Sequence, residues 1–182
     1  ELKTLRARER LPKLRPGSAA FDGRDEIPTF QEMIDLAEAE SRRLGRPIGT
    51  YPEMKHPTYF AGIGLPLEQR LADTLKANGL DSPTAPVFVQ CFEVGALKTF
   101  MGMSKAPSIL LMQRRGGPFD RKGVSYRDLA ADMKAVAAFA TGVGPEWPMV
   151  IPTDGGKLGA PTSLVPDAHA AVVVFTNQEA VG

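Results

Sequence analysis

Gly49-Thr50-Tyr51-Pro52-Glu53-Met54-Lys55-His56-Pro57 is a short, β-compatible stretch that brings a carboxylate, an ammonium and an imidazole together near its end. In a strand, residues two apart project from the same face, so Glu53 and Lys55 stand together and His56 faces away. Acid and base side by side at the carboxyl end of a strand is the arrangement in which barrels and open α/β sheets place their chemistry. A Glu there can bind a hard cation, and a Lys there can hold a phosphate. The plainer alternative is an ordinary exposed ion pair between the two, which is worth little energetically.

Working outward, the chain alternates between short apolar runs and amphipathic segments. Upstream, Thr29-Phe30-Gln31-Glu32 is a capping box. It opens a helix with Phe30, Met33, Ile34 and Ala37 at helical spacing, ended by Gly45. Glu1 to Arg15 holds six basic and two acidic residues. It is helix-prone until Pro12 and reads as a solvated connecting helix, followed by a loop over residues 16–25. The first strand then runs from Ile48 to Met54.

Downstream, a second helix begins at Leu65-Pro66 with Leu67, Leu71 and Leu75 in a stripe, and Gly79 caps it. Val87 to Phe92 and Ser108 to Gln113 are apolar runs of strand length, as expected of strands covered on both faces. A short helix lies between them, about Val94 to Met101. Arg114 to Gly123 is a polar, glycine-rich loop. Ser125, with Asp128 three residues on, caps a helix whose apolar face is Leu129, Met133, Val136 and Ala137. Thr141 to Pro145 is a very short strand, and a loop with Trp147 and the run Met149 to Pro152 follows. Pro161-Thr162-Ser163 starts a helix to about Ala171, and Val172 to Thr176 is the last strand. This alternation implies βαβ units and a parallel sheet, as a barrel or a doubly wound sheet. Periodicity does not separate the two. Val87, Val89, Leu110, Met112, Val173 and Phe175 are expected in the core.

With 182 residues, the chain suits one domain or part of one, read here as a single domain over residues 1–182. It is 43% hydrophobic and 24% charged, with a formal net charge of +1, which gives no pointer to nucleic acid or to an anionic membrane. No apolar run reaches the length of a membrane span. Cys91 is the single cysteine, which excludes an internal disulfide, and it reads as a small buried hydrophobe. The chain opens on Glu1-Leu2-Lys3 without an initiator Met or a signal peptide, so it is expected to begin mid-protein.

Several segments resemble the glycerophosphodiester phosphodiesterases. They are Ile27-Pro28-Thr29, Tyr51 to Pro57, Gly64 to Glu68, Val89-Gln90-Cys91-Phe92-Glu93, Gly142 to Pro145, Gly159 to Val165, Asp167-Ala168-His169 and Val174 to Asn177. The resemblance covers nearly the whole chain, in order. It implies a (β/α)8 TIM-type barrel, of which roughly five strand–helix units are present. By the same resemblance Glu53 and Lys55 end the third strand, and Gln90 and Phe92 the fourth. Ile109 to Gln113 would be the fifth strand, Gly142 to Gly144 the sixth and Val172 to Thr176 the eighth. The family's first strand with its His-Arg-Gly motif, its second with a Glu-x-Asp metal pair and a following His-Asp, and its seventh are absent from the sequence. The expectation is therefore a fuller protein of which this sequence omits segments, since a barrel typically needs about 250 residues.

The resemblance implies metal-dependent hydrolysis of a glycerophosphodiester to an alcohol and glycerol 3-phosphate, with magnesium or calcium as the cation. Glu53 would be a metal ligand and Lys55 a catalytic cation neutralising charge on the phosphoryl oxygens. Gln90, Phe92 and Trp147 would contact the small-molecule substrate. A periplasmic or extracellular location is implied too. His56 is expected to make a supporting hydrogen bond, His169 to be structural, and Arg114 and Arg115 to lie in a solvated loop. Alternatives are a truncated or degenerate homologue that binds phosphodiesters without turnover, and a barrel phosphodiesterase acting on lysophospholipids. Oligomeric state is not legible in the sequence.

Overall fold

The computed structural model describes residues 1–169 together with Val173 and Val174. Phe175, and the side chains of His169 and Val173, lie outside the described residues. The chain divides into two compact units whose described parts are residues 1–48 and the residues from Gly49 onward.

In the first unit the basic segment does not form the expected helix. After a 3-10 turn at Leu2–Thr4 it runs extended, and Arg6 bridges Glu26 in antiparallel fashion. Backbone hydrogen bonds hold this fold-back, Ala7 N to Asp25 O at 2.8 Å and Gly23 N to Ala7 O at 3.0 Å, and exposed ion pairs accompany them. Lys3 reaches Glu32 at 2.6 Å, Arg6 reaches Glu26 at 3.5 Å and Arg8 reaches Asp22 at 3.7 Å. A one-turn helix α1 (Pro16–Ala19) sits where a loop is expected, with Pro16 at its first position. Helix α2 (Phe30–Leu44) follows the sequence closely. Thr29 and Glu32 form the reciprocal capping box, and Gly45 closes the helix at φ 64°, a conformation glycine adopts without penalty. Of its apolar face Ile34 is buried, while Met33 stays exposed.

The second unit is a parallel sheet with helices. Helix α3 (Pro57–Gly62), which the sequence reading missed, starts at Pro57. Helix α4 (Glu68–Ala77) follows, and Gly79 beyond it takes φ 68°. Then come β1 (Val89–Cys91), α5 (Val94–Met101) and β2 (Ser108–Met112). The expected single helix after Ser125 is two, α6 (Tyr126–Ala131) and α7 (Met133–Ala137). It breaks at Asp132, whose side chain caps the second by accepting from Ala135 N at 3.0 Å. Strand β3 (Gly142–Pro145) leads to a 3-10 turn at Trp147–Met149. A small antiparallel hairpin, β4 (Thr153–Asp154) and β5 (Lys157–Leu158), turns on Gly155 and Gly156, both at positive φ. Asp154-Gly155-Gly156 is the turn signal that betrays it in sequence. Helix α8 (Leu164–His169) precedes β6 (Val173–Val174).

All four strands of the main sheet are parallel, in the order β1-β2-β3-β6. The stretch from Thr50 to Met54 adds a fifth parallel member beside β1, through bridges Thr50–Val87 and Glu53–Gln90. It is not the continuous strand expected, because Pro52 has no N–H to give the ladder. Its carbonyl still accepts from Gln90 N at 2.9 Å, and Met54 N donates to Gln90 O at 3.0 Å. The strand that the resemblance would place eighth pairs directly with β3, the position a barrel gives to the next strand round.

Val87, Val89, Leu110 and Met112 are buried, as expected. Val89 and Cys91 alternate with half-buried Gln90 in β1, and helix α5 packs on β1 and β2. Phe100 and Leu97 of α5 are fully buried. On the other face of the sheet, a Cβ on Gly144 would stand 2.8 Å from Leu111 Cδ2 and 3.4 Å from Ile109 Cγ2 and Tyr51 Oη. Tyr51 therefore reaches across that face to β3. Among the described residues, no helix is long and apolar enough to cross a membrane.

Leu111 and Ile109 are fully buried and cannot swing aside. Gly144→Ala is therefore expected to destabilise the second unit by about 1–3 kcal/mol, the usual range for overpacking. Urea unfolding followed by Trp147 fluorescence checks this.

Candidate functional site

Register places the expected site residues in two steps along the sheet. Glu53 pairs with Gln90, and Gln90 with Ile109. Gln90 Nε2 donates to Tyr51 O at 3.0 Å. Lys55 and Phe92 stand two residues further along, and both line a cavity of about 490 Å³ at the carboxyl end of the strands. Met54, between Glu53 and Lys55, points the other way and is 3% exposed. Glu53 and Lys55 thus share a face, as alternation demands.

Glu53 and Lys55 do not form an ion pair. Among the described residues no carboxylate lies within salt-bridge distance of Lys55, and both side chains are exposed. The plainer reading of this stretch is therefore not what the chain adopts.

His56 departs from the expectation. The strand ends at Lys55, and His56 becomes the residue before α3, with φ −99° and ψ 103°. It lines the same cavity as Lys55 instead of facing away. Regular alternation was the wrong premise, because Pro57 starts a helix one residue later.

Glu93, Gln113, Tyr59, Phe119 and Tyr126 complete most of the lining, and sequence reading assigned none of them to the site. Glu93 is 3% exposed, and its Oε2 accepts from both Thr58 N, at 3.1 Å, and Thr58 Oγ1. Its charge sits at the start of α3, where orphan N–H groups and the helix dipole favour an anion. A carboxylate directly after an apolar strand is the sequence signal for such a cap. The loop behind the cavity is folded back by a hydrogen bond from Tyr126 N to Gly116 O at 3.1 Å. Gly117 lies so close to the Val124 carbonyl that no side chain fits there. Asp120 in this loop caps α5, accepting from Val94 N at 3.2 Å and from Gly95 N. Tyr126 donates to Phe92 O at 3.3 Å, and its ring meets Phe92 edge-on at 6.1 Å. Burial, with nearby anionic groups, pushes its hydroxyl up to about 12.

Trp147 is apart from this cavity. It is 38% exposed in the turn after β3 and does not line it. Arg115 lies in the exposed loop as expected. Arg114 lines a second cavity of about 530 Å³ with Arg127 and Asp167. Among the described residues no group of three His, Cys, Asp or Glu could hold a metal ion. Glu53 on its own offers one carboxylate, so the described residues do not by themselves fit a divalent cation.

No family model matches the chain. It is 27% identical to the glycerophosphodiester phosphodiesterase GDPD6 of Arabidopsis thaliana, over 93% of this chain and 48% of that protein. It is 28% identical to the glycerophosphodiester phosphodiesterase of Haemophilus influenzae, over 72% of this chain and 40% of that one. The corresponding protein of Treponema pallidum is 24% identical over 84% of this chain. These relatives are all glycerophosphodiester phosphodiesterases. The chain spans about half the length of the curated relatives it matches. A crystal structure from Silicibacter pomeroyi DSS-3, provisionally assigned as a glycerophosphoryl diester phosphodiesterase, superposes with a TM-score of 0.64 at 18% identity. That likeness covers 94% of this chain and 52% of the other, and shows the fold: α/β with parallel strands of the (β/α)8 barrel type.

Cys91 is inert by its surroundings, as expected. Its Sγ donates to Met54 O and accepts from Glu93 N, both at 3.3 Å. Burial is the main cause that pushes the thiol from 9.0 up to about 12. Its folded value is raised, so its contribution to stability is full below about pH 9 and is lost as pH rises towards 12. Folded protein at neutral pH should resist iodoacetamide, and urea-unfolded protein should be alkylated fully. Mass spectrometry distinguishes the two.

Proposed function

We propose that this chain carries the phosphate-binding part of a glycerophosphodiester phosphodiesterase site, hydrolysing a glycerophosphodiester to an alcohol and glycerol 3-phosphate. One observation carries the reading: Lys55 presents an ammonium without a carboxylate partner to a cavity at the carboxyl ends of parallel strands. The names of its relatives support it.

Hydrolysis adds water across a P–O bond, and negative charge grows on the phosphoryl oxygens as it proceeds. A fixed ammonium beside those oxygens stabilises the transition state more than the ground state. Lys55 fills that role. Phe92 and Tyr126 wall the cavity with aromatic faces and exclude water from one side of the bound diester. Glu93 is already held by Thr58, so it orders the start of α3 and leaves the phosphate to Lys55 and His56. Magnesium or calcium belongs to the proposal only as a group for which Glu53 would supply one oxygen. Further donors must join it, and no step is routed through the cation.

The test is Lys55→Met, which keeps much of the stem and removes the charge. In the complete enzyme, with glycerophosphocholine as substrate and glycerol 3-phosphate release as readout, kcat should fall by about a hundredfold or more, the scale of one lost electrostatic donor. KM should change less, and the melting temperature should hold. A kcat within about twofold of the parent, together with a lower melting temperature, would make Lys55 a structural residue and overturn the reading.

A further inference from the structure

The first unit contains a second feature that the cavity does not use. Residues 10–21 form a lobe whose neck is tied by three hydrogen bonds: Ala7 N to Asp25 O at 2.8 Å, Gly23 N to Ala7 O at 3.0 Å, and Glu9 N to Asp22 Oδ1 at 2.7 Å. Within the lobe the chain turns tightly, with Leu14 N and Arg15 N both donating to Leu11 O at 2.9 Å, and then enters α1. The lobe carries Arg10, Lys13 and Arg15 and no acidic residue. Among the described residues none of these three cations has an ion-pair partner. Leu14 is 70% exposed and Phe21 55% exposed, and the Arg24 guanidinium lies 5.3 Å from the Phe21 ring centre.

Uncompensated cations beside exposed large apolar side chains are the composition of an interfacial anchor. The apolar groups enter the headgroup boundary and the cations meet anionic headgroups. A nucleic acid would use the cations but would leave Leu14 without a role. We propose that this lobe docks the chain reversibly on a membrane surface rich in anionic lipid. Glu9, Asp22 and Asp25 gather at the neck beside Phe21, and none of them pairs with Arg10, Lys13 or Arg15 at the tip.

The test is co-sedimentation of the full chain with vesicles of phosphatidylcholine alone and of phosphatidylcholine mixed with phosphatidylserine, with a spin of protein alone as control. Binding is expected only with phosphatidylserine present, and about 0.5 M salt should release it, because it shortens the screening length to a few ångströms. Replacing Arg10, Lys13 and Arg15 together by Gln should weaken partitioning by about fivefold per charge, on the order of a hundredfold in all. Leu14→Ser with Phe21→Ser should weaken it by roughly tenfold or more. Circular dichroism of each variant confirms its fold. Should a variant not fold, the lipid and salt dependence of the parent still decides. Equal binding to both vesicle types, no binding to either, or variants that bind like the parent would overturn the proposal. Tighter salt-sensitive binding to duplex RNA, unaffected by the Leu14 and Phe21 changes, would overturn it in favour of nucleic acid.

Discussion

Parallel pairing onto both edges of β1 is the constraint on which the candidate site depends. Hydrogen bonds along β1 alternate between its neighbours. Val89 N donates to Pro107 O on the β2 side, and Gln90 N donates to Pro52 O on the other. A slip of one residue on that second edge would turn Lys55 and Glu53 towards the helices and push Met54 out. Burying a lone ammonium there would cost far more than one ladder hydrogen bond contributes. Met54 opposes such a slip, because its side chain is buried and its carbonyl accepts from Cys91 Sγ. A small buried thiol next to the site therefore holds the register of the residues that face the cavity.

Beyond the strands, carboxylates at helix starts shape the cavity. Glu93 serves α3 and Asp120 serves α5, and each comes from a different part of the chain from the helix it caps. The two caps draw α3, α5 and the loop around Gly117 together at the carboxyl end of the sheet. A Cβ at Gly95 would stand 2.7 Å from Asp120 Oδ2, so a side chain there would push the capping carboxylate aside. Lys55 faces a cavity lined by one carboxylate, Glu93, which already accepts from the Thr58 backbone and hydroxyl, while Asp120 holds the loop behind it. Neither forms a salt bridge to Lys55.

What the sequence made legible was largely local and periodic. The α2 capping box, the Gly45 stop, helix α5 and the apolar strands around Val89 and Leu110 follow from neighbours within a few positions. That Glu53 and Lys55 share a face followed from alternation, whereas the placing of Phe92 beside Lys55 came from the family resemblance. Three kinds of feature escaped. Helix α3 is only one and a half turns long and gains little from periodicity, so Pro57 was its single signal. The break at Asp132 depends on a side chain capping its own chain two turns into an apparently continuous apolar face. The role of Glu93 depends on Thr58, which is distant in sequence, and no local pattern reports such a contact.

The basic segment shows the same limit in its electrostatics. Composition counts Glu9 and Asp22 against the arginines around them. In the folded chain Asp22 accepts from Glu9 N and faces Arg8 at 3.7 Å, and Glu9 Oε1 accepts from Leu11 N at 2.8 Å. Each acid is thus committed to the neck of the fold-back. Neither reaches Arg10, Lys13 or Arg15. Both acids border the lobe in sequence, inside a Debye length of about 10 Å at 0.1 M salt, so they lower its potential without pairing with its cations. At the tip of the lobe the protruding charges are Lys13 and Arg15, one on either side of the exposed Leu14.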